Sequence, residues 1–211
     1  MTFANIKEMR RFVNRRAAAA QADLDARMAT VRSVCSEGCD ACCYQMVFVH
    51  TWEEELIGGY IEHTMHAATR TQIRRQLVAW WKHLKGLLRP VSNANPLSLR
   101  EVRELTQYMV DTRVMCPFLV DHRCAIYPVR PAMCRAHVVA TDHRLCATMP
   151  GREGESIGAR HMLATFGAES PHLPVDKYVH AMKPLAFAMT APLKVPVPST
   201  PLMVMTLGDV M

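Results

Sequence analysis

Apolar residues recur at three- and four-residue intervals through much of the chain, the period of a helix with one buried face. Ile6, Met9, Phe12 and Val13, then Leu24, Met28 and Val31, flank an alanine run at 17–20 and predict one long helix over residues 4 to about 31. The run "YQMVFVH", Tyr44 to His50, reads as a short strand. Thr51 and Glu54 form a capping box, in which each side chain reaches the other's backbone, and open a helix to about His66. Ile73, Leu77, Trp80, Trp81, Leu84, Leu87 and Leu88 predict a helix over about 71–88, stopped by Pro90. After the loop "PVSNANP", Ser98 and Glu101 form a second capping box. The helix they open runs to about Arg113, with Leu99, Val102, Leu105 and Met109 inward.

The helical period breaks between Cys116 and Cys146, where Pro117, Pro128 and Pro131 cut the chain into short pieces. Helices are expected again near 156–165 and near 175–190, the latter bent or broken at Pro184. Pro192, Pro196, Pro198 and Pro201 make the end an extended arm. The expected organisation is a mainly α domain over residues 1–190, an irregular cysteine-rich centre packed among its helices, and a proline-rich arm over 191–211.

Half of the 211 residues are hydrophobic, enough for a true core without disulfide staples. The first residues carry scattered charge and no apolar segment of a secretory signal, and no stretch approaches about 18 uninterrupted apolar residues. The expected compartment is therefore the cytoplasm, where thiols stay reduced and clustered cysteines point to metal binding or catalysis. The net charge of +6 is spread over "KEMRRFVNRR" and "TRTQIRRQLVAWWKHLKGLLR", charged faces of predicted helices rather than one patch. That pattern argues against nucleic acid as the partner and leaves a protein or peptide partner open.

Chemistry concentrates in "CSEGCDACC", which places Cys35, Cys39, Cys42 and Cys43 within nine residues. Cys39 and Cys42 are spaced so that both sulfurs can meet one metal at about 2.3 Å. Adjacent Cys42 and Cys43 diverge in an extended chain, which suits a second ion or another corner of an iron–sulfur cluster better than one small ion. A dithiol redox pair at Cys39 and Cys42 lacks a thioredoxin-like βαβ setting. Cys116, Cys124 and Cys134 follow at intervals of eight and ten positions, with Cys146 beyond.

Together "CSEGCDACC" and "CPFLVDHRCAIYPVRPAMCR" resemble the CxxCxxCC family of zinc- or iron-chelating domains (YkgJ-like). The likeness lies in a knuckle ending in two adjacent cysteines, then Cys-x-Phe-Leu, Cys-x-Ile-Tyr and Arg-Pro-x-x-Cys-Arg. It covers residues 35–56 and 115–136, about a fifth of the chain. The chain departs from the pattern in having three residues between Cys35 and Cys39, and in adding Cys146. The resemblance implies a metal centre built from segments 35–56 and 115–146, with Cys35, Cys39, Cys42, Cys43, Cys116, Cys124 and Cys134 as ligands. Iron, as an iron–sulfur cluster, is the favoured occupant, because the cysteines outnumber the four a zinc ion needs; zinc is the runner-up.

Other groups carry paired readings. His137 and His143 could ligate or support the metal. Arg130 and Arg135 could neutralise thiolate charge, grip an anionic substrate, or fix a turn through salt bridges. Tyr127 is expected to pack against the site, and Asp121 and His122 to be exposed. Of Trp80 and Trp81, one is expected in the core and the other on a partner surface or groove. Neither "LIGGY" nor "GREGESIG" has the strand-linked fingerprint of a phosphate-cradling loop. Two functional classes remain: a metalloenzyme or enzyme subunit acting on a peptide or small molecule, and a structural-zinc binding or maturation factor docking a protein.

Overall fold

The computed structural model describes residues 5–36, 38–87, 97–140, 142, 181–195 and 203–204. The expected helix at 156–165, together with His143 and Cys146, lies outside the described residues. The chain is mainly helical, as its periodicity predicts. Helix α1 spans Ile6–Met28, α2 Thr51–His63, α3 Ala67–Leu84 and α4 Leu99–Asp111. Short elements complete it: strand β1 (Phe48–His50), the hairpin strands β2 (Leu119–Val120) and β3 (Arg123–Cys124), a 3-10 turn at Tyr127–Val129 and helix α5 (Ala132–Ala136). Strand β4 (Ala181–Pro184), the single-turn helix α6 (Leu185–Ala188) and strand β5 (Met203–Val204) follow.

Two apolar clusters hold these elements. The larger gathers Phe48 and Val49 of β1, Ile57 and Ile61 of α2, Ile73, Leu77, Trp80 and Leu84 of α3, and Leu105 and Met109 of α4. Phe118, Ile126, Leu185, Phe187 and Leu193 close it. Trp80 is buried and Trp81 half-buried, and both meet Phe187 edge-on at 5.4 and 5.3 Å between ring centres. Among these contacts the second tryptophan therefore packs on the core and is not left wholly on a groove. The smaller cluster joins Ala17, Ala20 and Leu24 of α1 to Ala132 of α5. Alanines at the contact let α1 approach closely, so the helix lies directly over the cysteine-rich segment.

The helix limits show where local signals competed with tertiary ones. Helix α4 starts as its capping box predicts: the Ser98 N–H donates to Glu101 Oε2 at 2.7 Å, and the Glu101 N–H donates to Ser98 Oγ at 3.3 Å. Helix α2 starts one residue earlier than its sequence suggests. His50 is the N-cap and Glu53, not Glu54, accepts the His50 N–H at 3.0 Å, because β1 runs straight into the helix without a linker. Helix α3 begins at Ala67 rather than 71 and ends at Leu84, its last buried residue, leaving Leu87 exposed.

The expectation of a helix through 175–190 fails over 181–184. These residues form the central strand of an antiparallel sheet ordered β1-β4-β5, with Phe48 opposite Pro184 and Met182 opposite Met203. Pro184 has no N–H and disfavours helical geometry at Lys183, so the chain stays extended until α6 begins. The segment after α6 turns back on the body: Arg74 Nε donates to the Leu193 carbonyl at 2.5 Å. A β-carbon at Gly58 would stand 3.1 Å from Pro192, so this close approach favours glycine. Among the described residues no helix is long and apolar enough to cross a membrane.

Candidate metal centre

The knuckle leaves α1 through a short extended stretch. Its Val34 N–H donates to the Val139 carbonyl at 3.0 Å, tying it to the chain beyond α5. Gly38 takes φ +85, a left-handed turn that residues with a β-carbon rarely adopt. The Cys39 N–H donates to the Ser36 carbonyl and the Cys43 N–H to the Asp40 carbonyl, at 3.1 and 2.9 Å. Residues 41–44 are therefore a turn, and here the sequence expectation needs correcting. Adjacent Cys42 and Cys43 do not splay as in a strand; their thiols hydrogen-bond to each other.

Three contacts dock the knuckle on the second motif. The Cys116 N–H donates to the Cys43 carbonyl at 2.7 Å. His122 Nδ1 lies 2.9 Å from Asp40 Oδ2, and the Arg113 guanidinium stacks 3.6 Å over the Tyr44 ring. The backbone of the second motif is bent to make this possible. Arg113, just before the motif, and Asp121 and His122 within it have positive φ, and the last two form the tight turn between β2 and β3. Asp121 and His122 are exposed, as expected, but His122 also holds the knuckle.

The hairpin turns two sulfurs toward backbone donors. The Phe118 N–H donates to the Cys116 thiol and the Ile126 N–H to the Cys124 thiol, each two residues on. Cys134 stands on α5, whose position is set by two buried polar residues. Glu53 accepts the Ala132 N–H at 2.7 Å while it also accepts the N–H of His50, so one carboxyl joins the starts of α2 and α5. Burial pushes the Glu53 carboxyl up to about 7, against the pull of the two N–H donors and Arg135. Arg135 donates to the carbonyls of Arg130 and Pro128 at 2.8 and 2.7 Å. It also bonds Gln21 and pairs with Asp25, both on α1. Arg135 thus fixes the turn, and its charge also reaches the Cys124 thiol. Glu53 escaped the sequence reading; its only signal was a glutamate at the third position of a helix that follows a strand directly.

Five thiols, Cys42, Cys43, Cys116, Cys124 and Cys134, come close enough to oppose one another's ionisation. The hydrogen bond with Cys42, then burial, then neighbouring thiols push Cys43 far up. Burial, with Cys124 and Cys42 nearby, pushes Cys116 up to about 12 despite the Phe118 N–H. Burial first, and then Cys42, Cys116 and Cys124, raise Cys134 well above an ordinary thiol, with Arg130 opposing. Cys124 moves the same way through burial, opposed by the Ile126 N–H and Arg130. Arg130 lies 4.3 Å over the ring of Tyr127, which is 47% exposed.

The remaining sequence candidates lie around this group. Cys35 is exposed and its N–H donates to Ser33 Oγ; Cys39 is half-buried on the outer turn of the knuckle. His137 is buried at the C-terminal end of α5, three residues after Cys134. Among the described residues no three Cys, His, Asp or Glu side chains stand in an arrangement already set to hold a metal ion. The fit rests on donor chemistry: soft sulfur donors from two motifs, kept from ionising by burial and by one another, gain most from a thiophilic cation.

A family model, CxxCxxCC, described as "Putative zinc- or iron-chelating domain", matches residues 34–151 and so takes in both cysteine motifs and the helices between them. No curated protein and no solved structure matches the chain.

Proposed function

We propose, from the premise that this chain belongs to the CxxCxxCC family of zinc- or iron-chelating domains, that its five gathered thiols are the ligand set of one resident metal centre. The observation that carries this is the meeting of Cys42 and Cys43 with Cys116, Cys124 and Cys134 across more than 70 positions of sequence. Iron, as an iron–sulfur cluster, is the favoured occupant, and zinc the competing one. Five thiols exceed the four of a closed zinc site, and clusters spread their ligands over several irons. A cluster would supply redox or Lewis-acid chemistry, and zinc a Lewis acid or a cross-link.

The chain's own residues make the site competent to bind. The N–H groups of Phe118 and Ile126 stabilise thiolate on Cys116 and Cys124. Glu53 and Arg135 fix the helix that presents Cys134. The setting we propose is the reducing cytoplasm, and the role is that of a metalloenzyme or enzyme subunit acting on a peptide or small molecule. One observation favours a second reading, a zinc-stabilised binding factor. Lys7, Arg11 and Arg15 are all exposed at four-residue spacing on α1, a basic face suited to a protein partner.

Elemental analysis with a visible spectrum, on protein purified without oxygen, separates these readings. Iron with acid-labile sulfide and absorption near roughly 400 nm supports the cluster. Colourless protein with stoichiometric zinc favours the binding factor. Protein without metal, its thiols in disulfides, contradicts both.

A further inference from the structure

Among the described residues β1 is the outermost strand of its sheet, and its outward N–H groups are taken up by side chains tied to α5. In an antiparallel pair alternate residues turn their backbone groups toward the partner strand and away from it. The Leu185 N–H donates to the Val47 carbonyl and Phe48 lies opposite Pro184, so Phe48 and His50 turn their N–H groups away from β4. The His50 N–H donates to Glu53 Oε2 at 3.0 Å. The Phe48 N–H donates to Met133 Sδ at 3.4 Å. Both acceptors lead to α5: Met133 belongs to it, and Glu53 accepts its Ala132 N–H.

A thioether is a weak acceptor and an oxidisable one. Met133 is 40% exposed, while Met46, Met65, Met109 and Met189 are buried. Its sulfur therefore combines access to a dissolved oxidant with a hydrogen bond that ties two elements together.

We propose that Met133 is a site of reversible oxidation by hydrogen peroxide, and that its sulfoxide releases α5 from β1. A sulfur lone pair attacks one peroxide oxygen, the O–O bond breaks and an S–O bond forms. The sulfur gives up two electrons, and the departing hydroxide takes the proton of the new S–OH group and leaves as water. The sulfoxide sulfur is positively polarised and no longer accepts the Phe48 N–H. At 3.4 Å there is also no room for the new oxygen between sulfur and nitrogen. The device stands on the β1–α5 contact and does not need the metal centre, although Cys134 is the next residue on α5.

The test treats the full, metal-free chain with a limited dose of hydrogen peroxide, then with dithiothreitol to return sulfenic acids and disulfides to thiols. Mass spectrometry reads each methionine and calorimetry the melting temperature. Met115, also 40% exposed, is the control. Met133 is expected to be oxidised along with Met115 while the buried methionines are spared. Wild type and Met115→Leu should then melt roughly 2–4 °C lower, the loss of about one hydrogen bond, and methionine sulfoxide reductase should restore them. Met133→Leu, which lacks the acceptor from the start, should melt near oxidised wild type and fall no further on treatment. Met133 left unoxidised by a dose that converts Met115 overturns the proposal. So does an equal fall in treated wild type and Met133→Leu, or an untreated Met133→Leu that melts with wild type.

Discussion

Glu53→Gln tests the placing of a titratable carboxyl at the join between α2 and α5. Glu53 is fully buried, and burial carries its carboxyl from 4.5 to about 7. The folded state then holds the proton more tightly than the unfolded chain. Stability from this group is complete below pH 4.5 and is lost as pH rises through about 7. At about 1.4 kcal/mol per pH unit, the loss comes to about 3 kcal/mol. Glutamine keeps the shape but not the titration. The stability of wild type minus that of Glu53→Gln should therefore fall by about 3 kcal/mol between pH 4.5 and 8. Urea unfolding of the reduced, metal-free proteins across that range measures the difference, in which histidine and cysteine titrations common to both cancel. A flat difference would refute the burial argument. A difference rising with pH would mean that the His50 and Ala132 N–H groups and Arg135 outweigh desolvation and hold Glu53 ionised.

Cys134→Ser should lose bound metal and lower the melting temperature, because metal binding and folding are coupled; metal analysis and calorimetry check it. Cys35→Ser, at an exposed site, should keep wild-type metal content and stability. Arg135→Met should destabilise the chain by about 3 kcal/mol in urea unfolding, since it strands two carbonyls and the Asp25 partner, which is itself half exposed. Chelator should lower the melting temperature of the wild type and leave that of metal-free Cys134→Ser unchanged.

The helices were legible because their signals are local. The apolar period of α3 and α4 and the Ser98–Glu101 box need nothing beyond their own residues. Strand β4 was not, because what makes Ala181–Pro184 extended is pairing with β1, about 130 positions away, and the sequence window shows only a proline inside a helical pattern. The candidate site was legible in its residue types and its two motifs, since few arrangements other than a metal site place so many thiols together in a reduced chain. Its internal geometry was not. Whether Cys42 and Cys43 part or converge depends on the turn at 41–44, and that turn on Gly38 and on docking against Cys116, Arg113 and His122. Cys35 is as much part of the motif as Cys42, but it precedes the turn and stays exposed.

The central claim is that thiols from two distant motifs share one metal centre. Alkylation of the native protein with and without metal, read cysteine by cysteine by mass spectrometry, tests it most directly. Metal should protect Cys42, Cys43, Cys116, Cys124 and Cys134 together and release all five together on chelation, while Cys35 reacts in both states. Protection confined to 35–43, with Cys116, Cys124 and Cys134 labelling equally in both states, would contradict the account.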